Sequence, residues 1–184
     1  MHRRKRHSCT SLCRRGWKKG DPNEPADHAL GRSRGGFSTK IHLLVDGLGH
    51  LLAFVITGGQ AHEATAFEAV LHAADENLRD GKGDPIAWPV NLAGDKGYRA
   101  AWIDEHLAEL GIHPVIPCKS NEDRDARGIE FDRESYRNRN IVERSIGWLK
   151  ECRRVFSRFE KTAINYCGMI KMAMIERFLK TTCQ

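Results

Sequence analysis

Tyr136, Arg139, Glu143 and Lys150 stand three, four and seven residues apart. At about 3.6 residues per helical turn those steps nearly close whole turns, which puts the four side chains on one stripe of a helix. A carboxylate then has cations a turn or two away on either side. The carboxylate can hold a divalent metal and the cations can hold phosphates, so the pattern points to phosphoryl transfer on nucleic acid. Val142, Ile146 and Leu149 form an apolar stripe about a quarter turn away, so Glu143 is expected to border the buried face and to need a partner there. The plain alternative is an Arg139–Glu143 surface pair at i, i+4, of about 0.3–0.5 kcal/mol.

A second carboxylate, Asp95, lies in Leu92-Ala-Gly-Asp-Lys-Gly-Tyr98, directly after a short apolar run. The flanking glycines let backbone and ligand approach closely. A carboxylate on such a loop at a strand end suits Mg²⁺, which takes oxygen donors and keeps several waters. The alternative is a turn aspartate that caps its own backbone. Two carboxylates from a strand end and a packed helix can converge on a pair of metals, which activates water or a 3′-hydroxyl and stabilises the leaving oxygen. Lys150 and Arg139 would then contact phosphates beside the scissile bond. Such chemistry usually needs a third carboxylate.

The elements that must position these residues are legible from periodicity. Thr39 to Val45 and Leu51 to Thr57 read as strands, with Asp46-Gly-Leu-Gly49 as the hairpin turn between them. His62 to Leu78 has helical spacing through Phe67, Val70, Leu71, Ala74 and Leu78. Pro89 to Ala93 predicts a buried strand. Ala101 to Leu110 predicts a short helix anchored by Trp102, Leu107 and Leu110, and His113 to Ile116 a further strand. Residues 118–135 are highly charged and read as a surface loop. Helix resumes near Arg139 and runs past Arg153, and a last helix covers about Ile164 to Lys180, with Ile170, Met174 and Phe178 on one face. This order predicts a mixed α/β sheet flanked by helices, with sites outside the C-terminal strand ends, where Asp95 falls.

The chain has 184 residues, enough for one core, and a net charge of +6. Residues 1–20 hold Arg3, Arg4, Lys5, Arg6, Arg14, Arg15, Lys18 and Lys19 with no acid, and basic residues recur densely from Arg133 to Lys161. Two basic blocks favour a polyanionic partner over a merely solvated face. Residues 1–36 are basic, then proline-containing, then glycine-rich, and read as an irregular arm ahead of a domain over 37–184. The run Gly31–Gly36 lacks the Lys-Ser/Thr of a P-loop and precedes its strand, so it does not bind nucleotide, but its Arg32 and Arg34 could touch a DNA backbone. The six cysteines show no disulfide framework, and Cys9 and Cys13, with His2 and His7 nearby, lack the second pair of a zinc site, so free thiols in a reducing compartment are expected. No apolar run approaches the roughly 20 residues of a membrane span, and no apolar segment follows the basic N-terminus, so cytoplasm is the default.

At this point the residues resemble a known family, the DDE-type transposases of bacterial insertion sequences, in the insertion-sequence-five-type group. Four stretches carry the likeness: Gly31-Arg-Ser-Arg-Gly-Gly-Phe-Ser-Thr-Lys-Ile-His42, Thr57-Gly-Gly-Gln-Ala-His-Glu63, Gly94-Asp-Lys-Gly-Tyr98 and Tyr136-x2-Arg139-x3-Glu143-x6-Lys150. The resemblance implies an RNase H-like mixed sheet flanked by helices, and Mg²⁺- or Mn²⁺-dependent cleavage and joining of double-stranded DNA at terminal inverted repeats and target sites. It implies Asp95 and Glu143 as catalytic and metal-binding carboxylates, with Tyr136, Arg139, Lys150, Arg32 and Arg34 toward DNA. The family's first acidic residue, an Asp on a strand upstream of the glycine-rich loop, has no match. Asp21 and Asp27 lie in a proline-containing loop, and Asp46 reads as a turn residue. The resemblance therefore implies a catalytic portion that lacks its first strand, completed by an upstream-frame polypeptide, with self-association as a homo-oligomer left open. The rival expectations are an inactive DNA-binding fragment that inhibits the parent transposase, a basic RNA-binding module, and a general nuclease of similar fold.

Overall fold

The computed structural model describes residues 28–33, 36–122 and 127–182. Strand β1 (Gly31–Ser33) pairs antiparallel with β2 (Gly36–Val45), Gly31 opposite Ser38, and β2 is followed by β3 (Leu51–Gly58) in a three-stranded sheet of order β1-β2-β3. A 3₁₀ turn (Glu63–Ala66) leads into α1 (Phe67–Asn77). Strand β4 (Asn91–Ala93), a 3₁₀ turn (Lys96–Tyr98), α2 (Ala101–Glu109) and β5 (His113–Val115) follow, and β4 pairs in parallel with β5. Helices α3 (Arg133–Arg137), α4 (Asn140–Glu151), α5 (Arg153–Phe156) and α6 (Ala163–Thr182) complete the described chain. The result is a mixed α/β arrangement, as the spacing predicts, but the described strands form two sheets where one mixed sheet was expected. Strand β1 is the exception, since it lies inside the stretch whose composition reads as irregular. None of the helices among the described residues is long and apolar enough to cross a membrane.

The chain forms two compact units. Unit 1 comprises residues 1–42, 56–61 and 146–184, and unit 2 comprises residues 43–55 and 62–145. The core of unit 2 gathers Ala64, Phe67, Leu71, Ile103, Leu107, Ile112 and Ile116, with Leu92 and Tyr98 packed against it. Of the anchors expected for α2, Leu107 is fully buried, whereas Trp102 stays partly exposed and Ile103 takes the second core position. The Phe67 ring meets those of Tyr98, Trp102 and His106 at 6.1–6.4 Å between centroids, which fixes α1 against α2 and the Lys96–Tyr98 turn. At the hairpin tip, Asp46 behaves as the turn residue its sequence suggests. Its Oδ1 accepts from the N–H groups of Leu48 and His50, and its Oδ2 lies 2.8 Å from His50 Nδ1. Gly49 adopts φ 88°, and its carbonyl accepts the buried hydroxyl of Ser145 at 3.1 Å.

The charged stretch 118–135 is not wholly a solvent-facing loop. Arg127, only 2% exposed, forms a bidentate pair with Asp104, Nε to Oδ2 at 2.9 Å and Nη2 to Oδ1 at 2.8 Å. Arg99 reaches Asp104 Oδ2 at 2.8 Å from its other side, and its Nε donates to Glu122 at 3.0 Å. Burial demands such pairing, because an unpartnered charge in the interior costs several kcal/mol.

In unit 1, Leu149, Val155, Tyr166, Ile170 and Ala173 are buried. Arg158, in left-handed conformation at φ 42°, is buried as well; it donates to the carbonyls of Ala29 and His28 and stacks 4.8 Å from the Tyr166 ring centroid. The Tyr166 hydroxyl donates to Val155 O at 2.8 Å. On α6 the buried face is Tyr166–Ile170–Ala173. Phe178, expected on that face, is exposed.

Candidate metal and DNA site

Asp95 follows β4 by two residues and caps the Lys96–Tyr98 turn, its Oδ1 accepting from Lys96 N–H at 2.7 Å. Its side chain remains 66% exposed. The two readings of Asp95 are thus compatible: it caps its own backbone with one oxygen and presents the other outward. Gly97 is required here, since a Cβ at this position would lie 2.9 Å from Glu63 Cγ.

Helix α3 starts at Asp132, whose Oδ1 accepts from Glu134 and Ser135 N–H, both at 2.9 Å. These bonds and the Ser135 hydroxyl hold the Asp132 carboxyl below its ordinary range. Ser135 also meets Asn91 of β4, Nδ2 to Oγ at 3.4 Å, which brings α3 to the strand that precedes Asp95.

The single continuous helix expected through Tyr136 and Lys150 is broken at Asn138–Arg139. Tyr136 lies in α3, and Glu143 and Lys150 lie on α4. The reason is local: Arg139 N–H bonds Tyr136 O and Ile141 N–H bonds Asn138 O, both at 3.0 Å in i→i−3 fashion, so the chain winds tighter than an α-helix there. The side chains nevertheless converge. The Arg139 guanidinium lies 5.3 Å from the Tyr136 ring centroid, donates to Glu143 Oε1 at 2.8 Å, and stands 3.9 Å from Asp95 Oδ2. Glu143 does not border the buried face, and its side chain is 60% exposed. The inward face of α4 runs through Ser145 and Leu149, and two residues back from Ser145 is the opposite side of a helix.

Asp95, Tyr136, Arg139 and Glu143 are therefore brought together in unit 2. Lys150 is exposed in the last turn of α4 and belongs to unit 1. Arg32 is exposed on β1, and Arg34 lies outside the described residues. Among the described residues no three His, Cys, Asp or Glu side chains group closely enough to hold a metal ion. The donor set is two carboxylates meeting one positive group. That suits a hard divalent cation, which takes one or two carboxylates and fills its shell with water. The Arg139 guanidinium occupies the position of positive charge between them.

Tyr98 escapes a reading based on the stripe alone. Burial pushes its phenol up to about 12, and the negative charges of Glu63 and Asp95 add to the rise. The signal is in the sequence: Tyr98 is three residues from Asp95, and a 3₁₀ turn stacks i over i+3.

The family model described as Transposase DDE domain matches residues 10–175. The chain is 30% identical over 157 residues to a Burkholderia cepacia protein titled "Putative transposase for insertion sequence element IS402", a match covering 85% of this chain and 67% of that protein. No solved structure matches. The stretch that brings Asp95, Arg139 and Glu143 together lies within the matched residues, and on that footing the chain belongs to the DDE-type transposases of insertion sequences.

Proposed function

We propose that this chain is the catalytic portion of a transposase that cuts double-stranded DNA at terminal inverted repeats and transfers the freed strand to target DNA. The observation that carries the reading is the meeting of Asp95 and Glu143 at one guanidinium, from a strand end and a helix far apart in sequence. Mg²⁺ or Mn²⁺, held by Asp95 and Glu143, would supply Lewis-acid stabilisation of phosphate oxygens and a nucleophile at neutral pH. Arg139 offsets part of the charge of the two carboxylates and orients them, Tyr136 holds the guanidinium by its ring face, and Arg139, Lys150, Arg32 and Arg34 offer phosphate contacts. Tyr98, kept protonated beside Asp95, can donate a hydrogen bond at any physiological pH. The mixed α/β order supports an RNase H-like domain that takes in β1 as well as residues 37–184, with the cytoplasm as the place of action.

Among the described residues two carboxylates rather than three meet at the site, which favours a second reading, in which the chain binds DNA without cutting it and inhibits the parent transposase. The test is Mn²⁺ binding by paramagnetic relaxation, then strand transfer and DNA binding on element ends. Asp95→Asn and Glu143→Gln are expected to abolish Mn²⁺ binding and strand transfer and to leave DNA binding measurable. Transfer retained in either variant overturns the assignment. Metal binding without cleavage, with salt-dependent binding to element ends, selects the inhibitor.

A further inference from the structure

Helix α3 has only five residues, and a helix of that length does not hold itself in water. Contacts around its start replace the missing length. Asp132 caps the N–H groups of Glu134 and Ser135. Asn91 of β4 donates to the Ser135 hydroxyl, which itself donates to the Asp132 carboxylate. His113 Nε2 donates to Glu130 O at 3.1 Å and so ties the approach to α3 onto β5. Phe131, the residue before the cap, lays its ring 5.1 Å from that of Tyr136, at an interplanar angle of 57°. Tyr136 is the fourth residue after the capping Asp132. An apolar pair at these two positions is the clasp that fixes the angle at which a chain enters a helix.

The clasp leads to the site. The Tyr136 ring carries the Arg139 guanidinium 5.3 Å from its centroid, and Arg139 reaches Glu143 and Asp95. We infer that Phe131 is a positioning residue of this site: it holds the Tyr136 ring and thereby sets where the Arg139 guanidinium stands. Two features of the chain create the dependence. Arg139 lies in the break between α3 and α4, so no continuous helical ladder fixes its direction, and its own N–H bonds Tyr136 O. Tyr136 is half-buried, so the core does not lock its ring. A guanidinium resting on an aromatic face keeps its in-plane donors for carboxylate or phosphate. If the ring turned freely, the guanidinium would collapse onto Glu143, its nearer partner, and lose Asp95. A purely structural clasp would accept any apolar side chain at position 131. Two tilted rings in contact prefer an aromatic one. The inference rests on the proposed role of Arg139 at the DNA site. Its first measurement uses neither DNA nor metal, so the two readings fail separately.

The experiment follows the Arg139 Nε–H signal by NMR of the full 184-residue chain, identified by its loss in Arg139→Lys. Tyr136→Leu removes the ring beneath the guanidinium and gives the direction of the ring-current shift. Phe131→Ala is expected to move the signal in that same direction, and Phe131→Tyr to keep it at its wild-type position. Affinity for a short DNA duplex at fixed salt, read by fluorescence anisotropy, is expected to fall about threefold in Phe131→Ala and to recover in Phe131→Tyr, with Arg139→Ala as the reference. Where Phe131→Ala melts early, Phe131→Leu keeps an apolar group before the cap and should still move the signal. The proposal is overturned if the signal stays in place in the folded Phe131→Ala or Phe131→Leu chain, or if Phe131→Tyr fails to restore it. Duplex binding unchanged in Phe131→Ala, while Arg139→Ala weakens it, overturns it as well. If Arg139→Ala itself leaves duplex binding unchanged, the phosphate contact in the proposed function fails, and a moved signal still supports Phe131 as the residue that holds Tyr136 and Arg139.

Discussion

Unit 2 holds two arginine–carboxylate clusters built from the same chemical groups and put to opposite uses. In one, Asp104 is clasped by Arg127 and Arg99 in the interior. In the other, Arg139 stands between Asp95 and Glu143, whose side chains are mostly exposed. Depth decides the difference. The interior cluster spends its oxygens on fixed donors and has none left for a ligand. The outer cluster keeps oxygens facing water, where a cation or a phosphate can compete for them. A carboxylate beside an arginine therefore says little until its exposure is known, and the sign of its contribution to stability or to binding follows from that exposure.

The sharpest way to break the comparison is Asp104→Ala. It leaves the buried Arg127 guanidinium without its carboxylate and Arg99 with Glu122 alone, and should cost about 3–5 kcal/mol in urea unfolding. Mn²⁺ binding by the remaining folded fraction should be unchanged, and a lost metal site with normal stability would show that the interior cluster had been misread. Asp46 is an intermediate case, half-buried at the hairpin tip. Burial works against its ionisation, yet hydrogen bonds from the His50 side chain and from the His50 and Leu48 N–H groups outweigh it and hold the carboxyl below its ordinary value. The folded pKa lies below the unfolded one, so the contribution is present above the unfolded pKa and lost as pH falls through the folded one. Asp46→Asn should cost about 1 kcal/mol at neutral pH, and that difference should vanish in acid unfolding curves.

At the outer cluster the stability effect is expected to be smaller. Glu143→Gln removes an exposed i, i+4 pair and should change unfolding free energy by no more than about 0.5 kcal/mol, even as Mn²⁺ binding disappears. A loss of several kcal/mol would mean that Glu143 is structural. The smallest effect is spectroscopic. Tyr98 titrates near 12, with burial as the main cause and Asp95 as a contributor, so Asp95→Asn should lower the alkaline midpoint of the tyrosinate absorption that Tyr98→Phe removes. An unmoved midpoint would detach Asp95 from Tyr98. Because the folded phenol holds its proton longer than the unfolded one, its share of stability is full below about pH 10 and falls as pH rises toward 12.

The hairpin, α1, β4, α2, β5 and α6 were all legible as elements, because each rests on periodicity within one segment and on punctuation such as Asp46–Gly49, although β4 is part-exposed where a buried strand was expected. The outer cluster was legible in part. The spacing of Tyr136, Arg139 and Glu143 named the right residues for a partly wrong reason, since an i→i−3 turn at Asn138–Arg139, not one straight helix, gathers them. Asp95 could be suspected only from its glycines, as its proximity to Arg139 is a tertiary fact. The interior cluster was not legible at all. Asp104 and Arg127 are separated by a loop whose density of charge is the ordinary sign of solvent exposure, and only folding turns one of its arginines inward.

The division into two units has a consequence for synthesis and for truncation. Unit 1 is assembled from the first, third and fifth stretches of the chain, and unit 2 from the second and fourth. No single cut can release either unit whole. On the ribosome the early stretch carrying Ala29 and Thr39 must wait until all of His62–Ser145 has been made before Arg158 and Tyr166 exist to receive it. At about 5–20 residues per second that wait lasts several seconds. A frame that ends before Arg158 thus leaves the opening strands without the residues that lock them, so a C-terminal deletion should be felt first near the N-terminus.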